Sequence, residues 1–431
     1  MNSTTSTYSP DIMDFTTNKP NLEATLSREG EDIESSPSLD STFSSNNNNN
    51  DNEDNKYPSL KTVFIKDYHP VWNVAFMSCG IASTYIFSFP YNHNEATRII
   101  GLCMWAVTLI IFILVSLFGL LKLIHYKDFR WDVLVDLKFN LFFAPYSMGF
   151  STVINMITLL TTHYTNDNFK LGLVIFWFVN VIFAMFASWI ILVFIIKHTE
   201  LTLADMNPQI ILLALPLSVV ASCGSLMTTT MDSNWRNVRQ MMMVLTFLLL
   251  SNATLLAFIF IDIMFLRMLI HKYPPRPLQF SIFPTLGYLG HATWGIQLNF
   301  LNLKSYLEEF TDYSPAVTDT LRLLTLLICL YMFSIGFLFT FIGICINWHY
   351  GMPKFSKLYW IVPFPLLAFA LGLNEFFKIH GMQTFKVIGM LYGGVGLIFV
   401  VGSFFGSIIY EFPWSDLKAY LQGRSHDSKH L

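Results

Sequence analysis

The chain has 431 residues, of which 53% are apolar and only 13% are charged, and its mean hydropathy is +0.48. A soluble domain carries roughly 25% charged residues, so this composition excludes a water-soluble globular protein for most of the chain. The net charge of −3 is dominated by the first 55 positions, which hold eleven Asp and Glu residues against two basic ones, and we expect no nucleic-acid partner.

The N-terminal segment has low complexity. Residues 1–60 are rich in Ser, Thr and acidic side chains and contain five consecutive Asn residues at 46–50. Such a segment buries too little apolar surface to offset the entropy of ordering it. We predict a disordered cytosolic tail over 1–60, a transmembrane transport domain over 61–412 and a short cytosolic tail over 413–431. The polar, acidic N-terminus predicts that no signal peptide is cleaved and that the first membrane helix directs insertion.

Ten apolar stretches follow the tail, and each is long enough to cross a bilayer as a helix, which needs about 20 residues. They lie at 70–90, 98–125, 138–162, 169–198, 209–231, 238–271, 278–300, 318–348, 357–378 and 385–410. The sequence therefore predicts an all-α integral membrane protein with ten transmembrane helices in the lipid bilayer.

The distribution of basic residues predicts the topology. Sixteen Lys and Arg residues flank the spans on the side of the N-terminus, and eight flank them on the opposite side. Because cytosolic segments carry the excess of Lys and Arg, both termini are expected in the cytosol. An even number of spans is required for that topology, and ten satisfies it.

The odd-numbered spans differ from the even-numbered ones in their prolines, which are absent from the interior of every even span. The prolines of spans 3, 5, 7 and 9 are Pro145, Pro208, Pro216, Pro284, Pro363 and Pro365. Proline kinks a helix, and the carbonyl it frees must be satisfied inside protein or a wet cavity. The pattern predicts five helical hairpins, with kinked odd helices around a central pore and even helices facing lipid. The alternative is that the kinks only help a bundle to pack.

Chemistry-bearing motifs are absent from the sequence. It contains no GxxxxGK[ST], GxSxG or HExxH motif, and its five cysteines lie singly within apolar runs. We therefore expect no catalytic residues, no metal site and no cofactor, and thus not an enzyme. The polar side chains inside the odd spans are the candidate pore lining, and the six chosen are Ser83, Ser147, Ser222, Ser225, His291 and Asn374. Together they offer donors that would bind an anion weakly, although buried Ser often bonds only to its own helix.

Five strings in spans 1, 3, 5, 7 and 10 carry a family resemblance. They are GIASTYIFSFPY (Gly80–Tyr91), KFNLFFAPYSMG (Lys138–Gly149), PLSVVASCGS (Pro216–Ser225), LGYLGHATWG (Leu286–Gly295) and IGMLYGGVG (Ile388–Gly396). In this order they resemble the tellurite-resistance/dicarboxylate transporter (TDT) family, in particular its fungal sulfite efflux pump branch, over residues 66–412. The resemblance implies a transport protein and a homotrimer in which each protomer has its own pore.

The resemblance also implies a pore gate in span 9, where the family has an aromatic plug. The matching string YWIVPFPLL places the gate at Phe364, and this sequence departs from the family pattern by adding Pro363 in front of it. The alternative is that Phe364, one of 41 phenylalanines, only packs against its neighbours. His291 stands where relatives are expected to have a small or amide side chain, so it either tunes selectivity or pH response or only packs.

We predict plasma-membrane efflux of sulfite or hydrogensulfite through a gated central pore. Sulfur dioxide crosses lipid and ionises inside the cell, where it is trapped, so the anion needs an exit. The membrane potential supplies about 2.3 kcal/mol per 100 mV for each exported charge, and a proton gradient is a second source of energy. The alternatives are a malate or dicarboxylate permease of the same family, which needs a pair of buried basic residues, and a membrane scaffold or membrane enzyme without transport.

Overall fold

The computed structural model of the chain describes residues 65, 68–91, 95–162, 166–312, 314–412, 414 and 418. Regular structure in this part of the chain is helical throughout, with no β-strand. The predicted tail over 1–60 lies outside the described residues, and so does all but two positions of the predicted tail over 413–431.

Ten long helices follow one another in the order of the ten predicted spans. They are α1 (Trp72–Phe87), α2 (Glu95–His125), α3 (Ala144–Leu160), α4 (Asp167–His198), α5 (Leu215–Thr228), α6 (Arg236–His271), α7 (Pro284–Phe310), α8 (Pro315–Tyr350), α9 (Pro363–His380) and α10 (Gln383–Gly406). When the adjoining 3₁₀ and π turns are included, eight of these helical segments in the described part of the chain are long and apolar enough to cross a membrane by length and composition alone. The other two are α1, which has only 16 residues, and α7, which is long enough but more polar.

Burial separates the odd helices from the even ones. The most apolar stretch of the segment containing α5 is 100% buried, whereas that of α2 is 11% buried. Each even helix exposes large aliphatic or aromatic side chains to the surroundings, and one example from each is Ile110, Ile182, Phe247, Phe341 and Ile398, with 60–72% exposure. An exposed apolar surface of this extent fits lipid rather than water. The predicted arrangement of inner odd helices and outer even helices is confirmed.

The inner helices form a closed ring, because α1 contacts α3, α3 contacts α5, α5 contacts α7, α7 contacts α9 and α9 returns to α1. Each outer helix packs on the inner helix that precedes it in the chain, which gives five helical hairpins. The predicted hairpin architecture is therefore confirmed, and the axis of the ring is the natural place for a pathway.

The prolines act differently from the prediction. Pro145, Pro216, Pro284 and Pro363 all lie in the first turn of an inner α-helix, and 3₁₀ turns such as 208–213 precede several of these starts. In a first turn the missing N–H of proline is not needed, and its fixed φ favours helix initiation. The prediction that proline kinks the inner helices is wrong. The prolines instead mark the start of the α-helix, which begins several residues inside the predicted apolar stretch.

The closest approach of two inner helices positions the candidate site. A Cβ atom built on Gly290 of α7 would overlap the backbone of Ala368 and Phe369 on α9, and one on Gly372 would lie 2.9 Å from the Gly290 carbonyl oxygen. Only glycine allows the two backbones to meet this closely. The crossing fixes the register of α7 against α9 and so brings His291 next to Phe364.

Candidate permeation pathway

A narrow apolar space lies on the axis of the inner ring, and all five inner helices contribute to its wall. One wall residue from each helix is Met77, Met148, Leu215, Pro284 and Phe364, which we call the apolar ring. The space admits about one water molecule. Gln209 is the only polar residue among the described ones that line the space, so an anion here would exchange its hydration shell for at most one side-chain amide. The apolar ring therefore closes the axis to ions in this conformation.

Phe364 occupies the first turn of α9 and is only 1% exposed. Phe364 lines the narrow space, and its ring also stacks on the imidazole of His291, with ring centroids 5.3 Å apart and an angle of 20° between the planes. Gly287 of α7 faces the same ring, since a Cβ atom there would lie in ordinary van der Waals contact with Phe364 Cδ1, at 3.6 Å. Phe364 therefore stands at the axis, where a small displacement of one ring changes the width of the passage.

His291 is fully buried and is held by one hydrogen bond. Its Nδ1 atom lies 2.9 Å from Ser222 Oγ on α5, and the same Ser222 hydroxyl lies 2.9 Å from the carbonyl oxygen of Val219. A hydroxyl has one proton, so Ser222 donates either to Val219 or to the imidazole and thereby selects the tautomer of His291. Within the described chain, His291 Nε2 has no hydrogen-bond partner.

The structure brings three of the predicted site residues together, namely Ser222, His291 and Phe364. Ser147 is used elsewhere, because its hydroxyl donates to Asn180 Oδ1 on the outer helix α4 at 2.9 Å. Ser83 donates to the carbonyl of Gly80 at 2.7 Å. At about 100° per residue, Ser83 lies about 120° around α1 from Met77, away from the axis.

Ser225 and Asn374 also lie at contacts between helices. The Ser225 hydroxyl donates to the Ala221 carbonyl at 2.9 Å, and its own carbonyl accepts from Asn302 of α7. Asn374 faces α10, since a Cβ atom on Gly389 would lie 3.2 Å from its Cγ atom. The role of each of these side chains in a pore lining stays a prediction.

Asn155 is a buried polar residue on the axis-facing side that the sequence analysis did not select. It is fully buried in α3, and neither its Nδ2 nor its Oδ1 atom has a partner among the described residues. It lies seven residues after Met148, which is nearly two helical turns along the same face. That spacing was the available signal, but it acquires meaning only once Met148 is known to line the axis.

The inner helices begin on the same side of the apolar ring as α1 does, so the positive ends of their dipoles lie on that side. Basic side chains lie on the same side: Lys122 Nζ donates to the Tyr68 carbonyl at 2.6 Å, just before α1. Burial, together with the charges of Lys357 and Lys122, lowers the pKa of His69 to about 3, so that imidazole is neutral near pH 7. The helix dipoles and the Lys122 ammonium group are the features of this end that favour an anion.

Comparison with known proteins gives matches across the helical region. A family model described as "Voltage-dependent anion channel" (SLAC1) matches residues 67–408, which include all ten helices. The chain is 28% identical to the Sulfite efflux pump SSU1 of Saccharomyces cerevisiae, and the match covers 77% of this chain and 84% of that protein. It is 26% identical to the Sulfite efflux pump SSU1 of Candida albicans, with coverage of 81% and 75%. The protein of the same name from Arthroderma benhamiae is 20% identical, with coverage of 77% and 87%.

Proposed function

Because the chain belongs to the voltage-dependent anion channel family, we propose that it exports sulfite or hydrogensulfite across the plasma membrane along the axis of its inner helices. The observation that carries this proposal is the similarity to three fungal proteins that are named sulfite efflux pumps and that align with most of the chain. The closed ring of inner helices supports it, because it offers a single axial route.

The direction of transport follows from the chemistry of the substrate. Sulfur dioxide diffuses into a cell and ionises there, so the anion accumulates on the inside. With both termini in the cytosol, as the bias in Lys and Arg predicts, the inner helices start on the cytosolic side. Their dipoles and Lys122 then attract the anion to the inner mouth. An inside-negative potential contributes about 2.3 kcal/mol per 100 mV to the exit of one charge.

Phe364 is the proposed gate of this pathway. Its position in the apolar ring, as one of the residues that line the narrow space, supports that role. Removal or rotation of the ring would widen the space and let water follow the anion. The family resemblance independently points to the same residue.

A dicarboxylate permease is disfavoured by the basic residues. A malate site would clamp two carboxylates, typically with paired Arg or Lys side chains. Among the described residues the only buried Arg side chains are Arg239, which pairs with Glu309, and Arg267, which donates to the Lys272 carbonyl at 3.0 Å; no Lys is buried. Neither Arg is on the axis. An enzymatic role is likewise not proposed, since the family is one of channels and transporters.

Each protomer is proposed to carry its own pathway, because the ring closes within one chain. The family resemblance suggests a homotrimer of such protomers. The mass of the detergent-solubilised protein tests this: three chains per particle would support the trimer, and one chain per particle would remove it.

The proposed function is tested by deleting the gene and measuring growth and intracellular sulfite on acidic medium that contains sulfite. Accumulation of sulfite and poor growth, with unchanged malate uptake, are expected. A malate defect without sulfite sensitivity would assign the chain to the dicarboxylate branch, and re-expression of the intact chain must restore the wild-type behaviour.

A further inference from the structure

A seven-residue step along the inner helices leads from the apolar ring to a polar one. Seven residues of α-helix turn through about 700°, which is close to two full turns, and rise about 10 Å. The step takes Met77 to Thr84, Met148 to Asn155, Leu215 to Ser222 and Pro284 to His291. The fifth step, on α9, ends at Leu371. All four polar residues are fully buried.

These four side chains, Thr84, Asn155, Ser222 and His291, are called the polar ring. The five wall residues line one space, so an equal step along each helix reaches a similar height. The 2.9 Å contact between Ser222 Oγ and His291 Nδ1 agrees with that placement for two of the five helices. The polar ring therefore lies beyond Phe364, on the side away from the helix N-termini.

Two members of the polar ring carry polar atoms that no described residue satisfies. They are Nδ2 and Oδ1 of Asn155 and Nε2 of His291. Buried polar atoms are almost always hydrogen-bonded, so atoms of this kind beside a transport axis point to a ligand. Thr84 differs, because its hydroxyl already donates to its own helix, to the Gly80 carbonyl at 3.2 Å.

The donors fit a small oxyanion. When the Ser222 hydroxyl donates to His291 Nδ1, the imidazole proton lies on Nε2, which then acts as a donor toward the axis. Asn155 adds an amide N–H, and Thr84 adds a third donor when its hydroxyl proton turns from the Gly80 carbonyl, 3.2 Å away, to the anion. The polar ring contains no carboxylate, which would repel an anion, and no Lys or Arg, which would hold one too tightly for rapid passage.

We propose that the polar ring is an oxyanion-binding site, in which Asn155 Nδ2 and His291 Nε2 hold sulfite or hydrogensulfite immediately after it passes Phe364. The inference rests on the proposed function for the identity of the anion. It adds a second element to the pathway: an apolar ring that closes and, directly beyond it, a polar ring that selects, with the imidazole of His291 stacked 5.3 Å from the ring of Phe364.

The test compares two substitutions of one residue in the full chain, reconstituted in phosphatidylcholine and phosphatidylglycerol vesicles. In His291→Asn the amide replaces Nδ1 and keeps the bond to Ser222, but no atom occupies the position of Nε2. In His291→Gln an amide nitrogen reaches that position. We expect His291→Asn to raise the half-saturating sulfite concentration at least about tenfold, because one hydrogen bond to a charged group is lost. His291→Gln should raise that concentration less.

Asn155→Leu provides an independent readout. If Asn155 has no protein partner, replacing it with an apolar side chain of similar size leaves the sulfite-free protein as stable or more stable. We therefore expect an unchanged or higher melting temperature without sulfite, together with a higher half-saturating concentration. Thr84→Val and Thr108→Val form a matched pair, because Thr108 is also fully buried and bonded to its own helix but lies on the outer helix α2. Only Thr84→Val is expected to weaken sulfite binding.

The outcomes separate the site from the function. Unchanged half-saturation in folded His291→Asn and Asn155→Leu proteins, with sulfite transport by the wild type, would overturn the site and leave the proposed function. If sulfite stabilises the solubilised wild type but not Asn155→Leu, and the wild type does not transport sulfite, the binding site would stand and the proposed function would be overturned. A lower melting temperature of sulfite-free Asn155→Leu would assign Asn155 a packing role instead, and absence of both transport and stabilisation would remove both proposals.

Discussion

Phe364→Ala is the substitution that separates a gate from a packing residue. Among the described residues Phe364 has one aromatic neighbour, His291, and it also lines the narrow axial space. Phe369 on the same helix is equally buried but contacts three aromatic rings, those of Phe333, Phe337 and Tyr392, at centroid distances of 5.0–5.8 Å. Phe369→Ala is therefore the matched control.

The expected energies differ for the two substitutions. Truncation of a packed Phe typically costs about 3–5 kcal/mol, and each aromatic pair adds about 0.5–1.5 kcal/mol beyond area burial. Phe369→Ala loses three such pairs and should fall in or above that range. Phe364→Ala loses one pair and already borders a space, so its cost should lie at or below the lower end. A tenfold gain in flux corresponds to a barrier lower by about 1.4 kcal/mol, which one lost apolar constriction readily supplies.

The assay measures sulfite efflux and surface abundance of each variant in the same cells. Phe364→Ala should give at least about tenfold more flux per molecule at nearly normal abundance. Phe369→Ala should give less protein, with unchanged flux per molecule. Equal or lower flux per molecule in Phe364→Ala would refute the gate, and so would an equal loss of abundance in both variants.

Three further predictions concern topology, the tail and helix packing. Tags at the two termini should resist extracellular protease, whereas a tag beside Asp167, between α3 and α4, should be cleaved; opposite protection of the termini would contradict the ten-span topology. Deletion of residues 2–55 should leave transport per molecule nearly intact, because the segment has the composition of a disordered tail, and lost activity at normal surface abundance would instead assign it a regulatory role. Gly290→Ala should lower the melting temperature and the yield of folded protein, because its Cβ would overlap the backbone of Ala368 and Phe369; a melting temperature equal to that of the wild type would show that α7 and α9 can separate at no cost.

The hydrophobic pattern predicted the number and order of the helices, and the prolines of the odd spans predicted which helices lie inside. The length of an apolar stretch and its proline content are local properties of the sequence, and neither depends on how the helices pack. The predicted span 138–162 nevertheless contains a break, because the α-helix over 144–160 begins only after the 3₁₀ turn at 141–143. Hydrophobicity does not distinguish a 3₁₀ turn from an α-turn when both are buried, and Pro145 fits either a kink or a start. The family resemblance read from the five strings is confirmed by the match over 67–408.

The candidate site was harder to predict, because its geometry depends on which face of each helix meets the axis. Three of the predicted site residues are in contact, although they lie far apart in the sequence: Ser222 contacts His291, and His291 contacts Phe364. Ser147 was selected as well, but its partner Asn180 lies on an outer helix, and no local pattern indicates that pairing. Asn155 was overlooked for the same reason: its seven-residue relation to Met148 is informative only after the axis has been located.

The central claim is that this chain carries sulfite along the axis of its inner ring, and flux from vesicles tests it most directly. The purified full chain is reconstituted in vesicles loaded with sulfite or with malate, and the membrane potential and the pH gradient are imposed separately. We expect sulfite efflux that increases with a potential negative inside, and little malate efflux. For an anion of one charge, each 100 mV changes the equilibrium ratio of the outside to the inside concentration by up to roughly fiftyfold. Malate efflux without sulfite efflux, or no anion flux under either gradient from folded protein, would contradict the account.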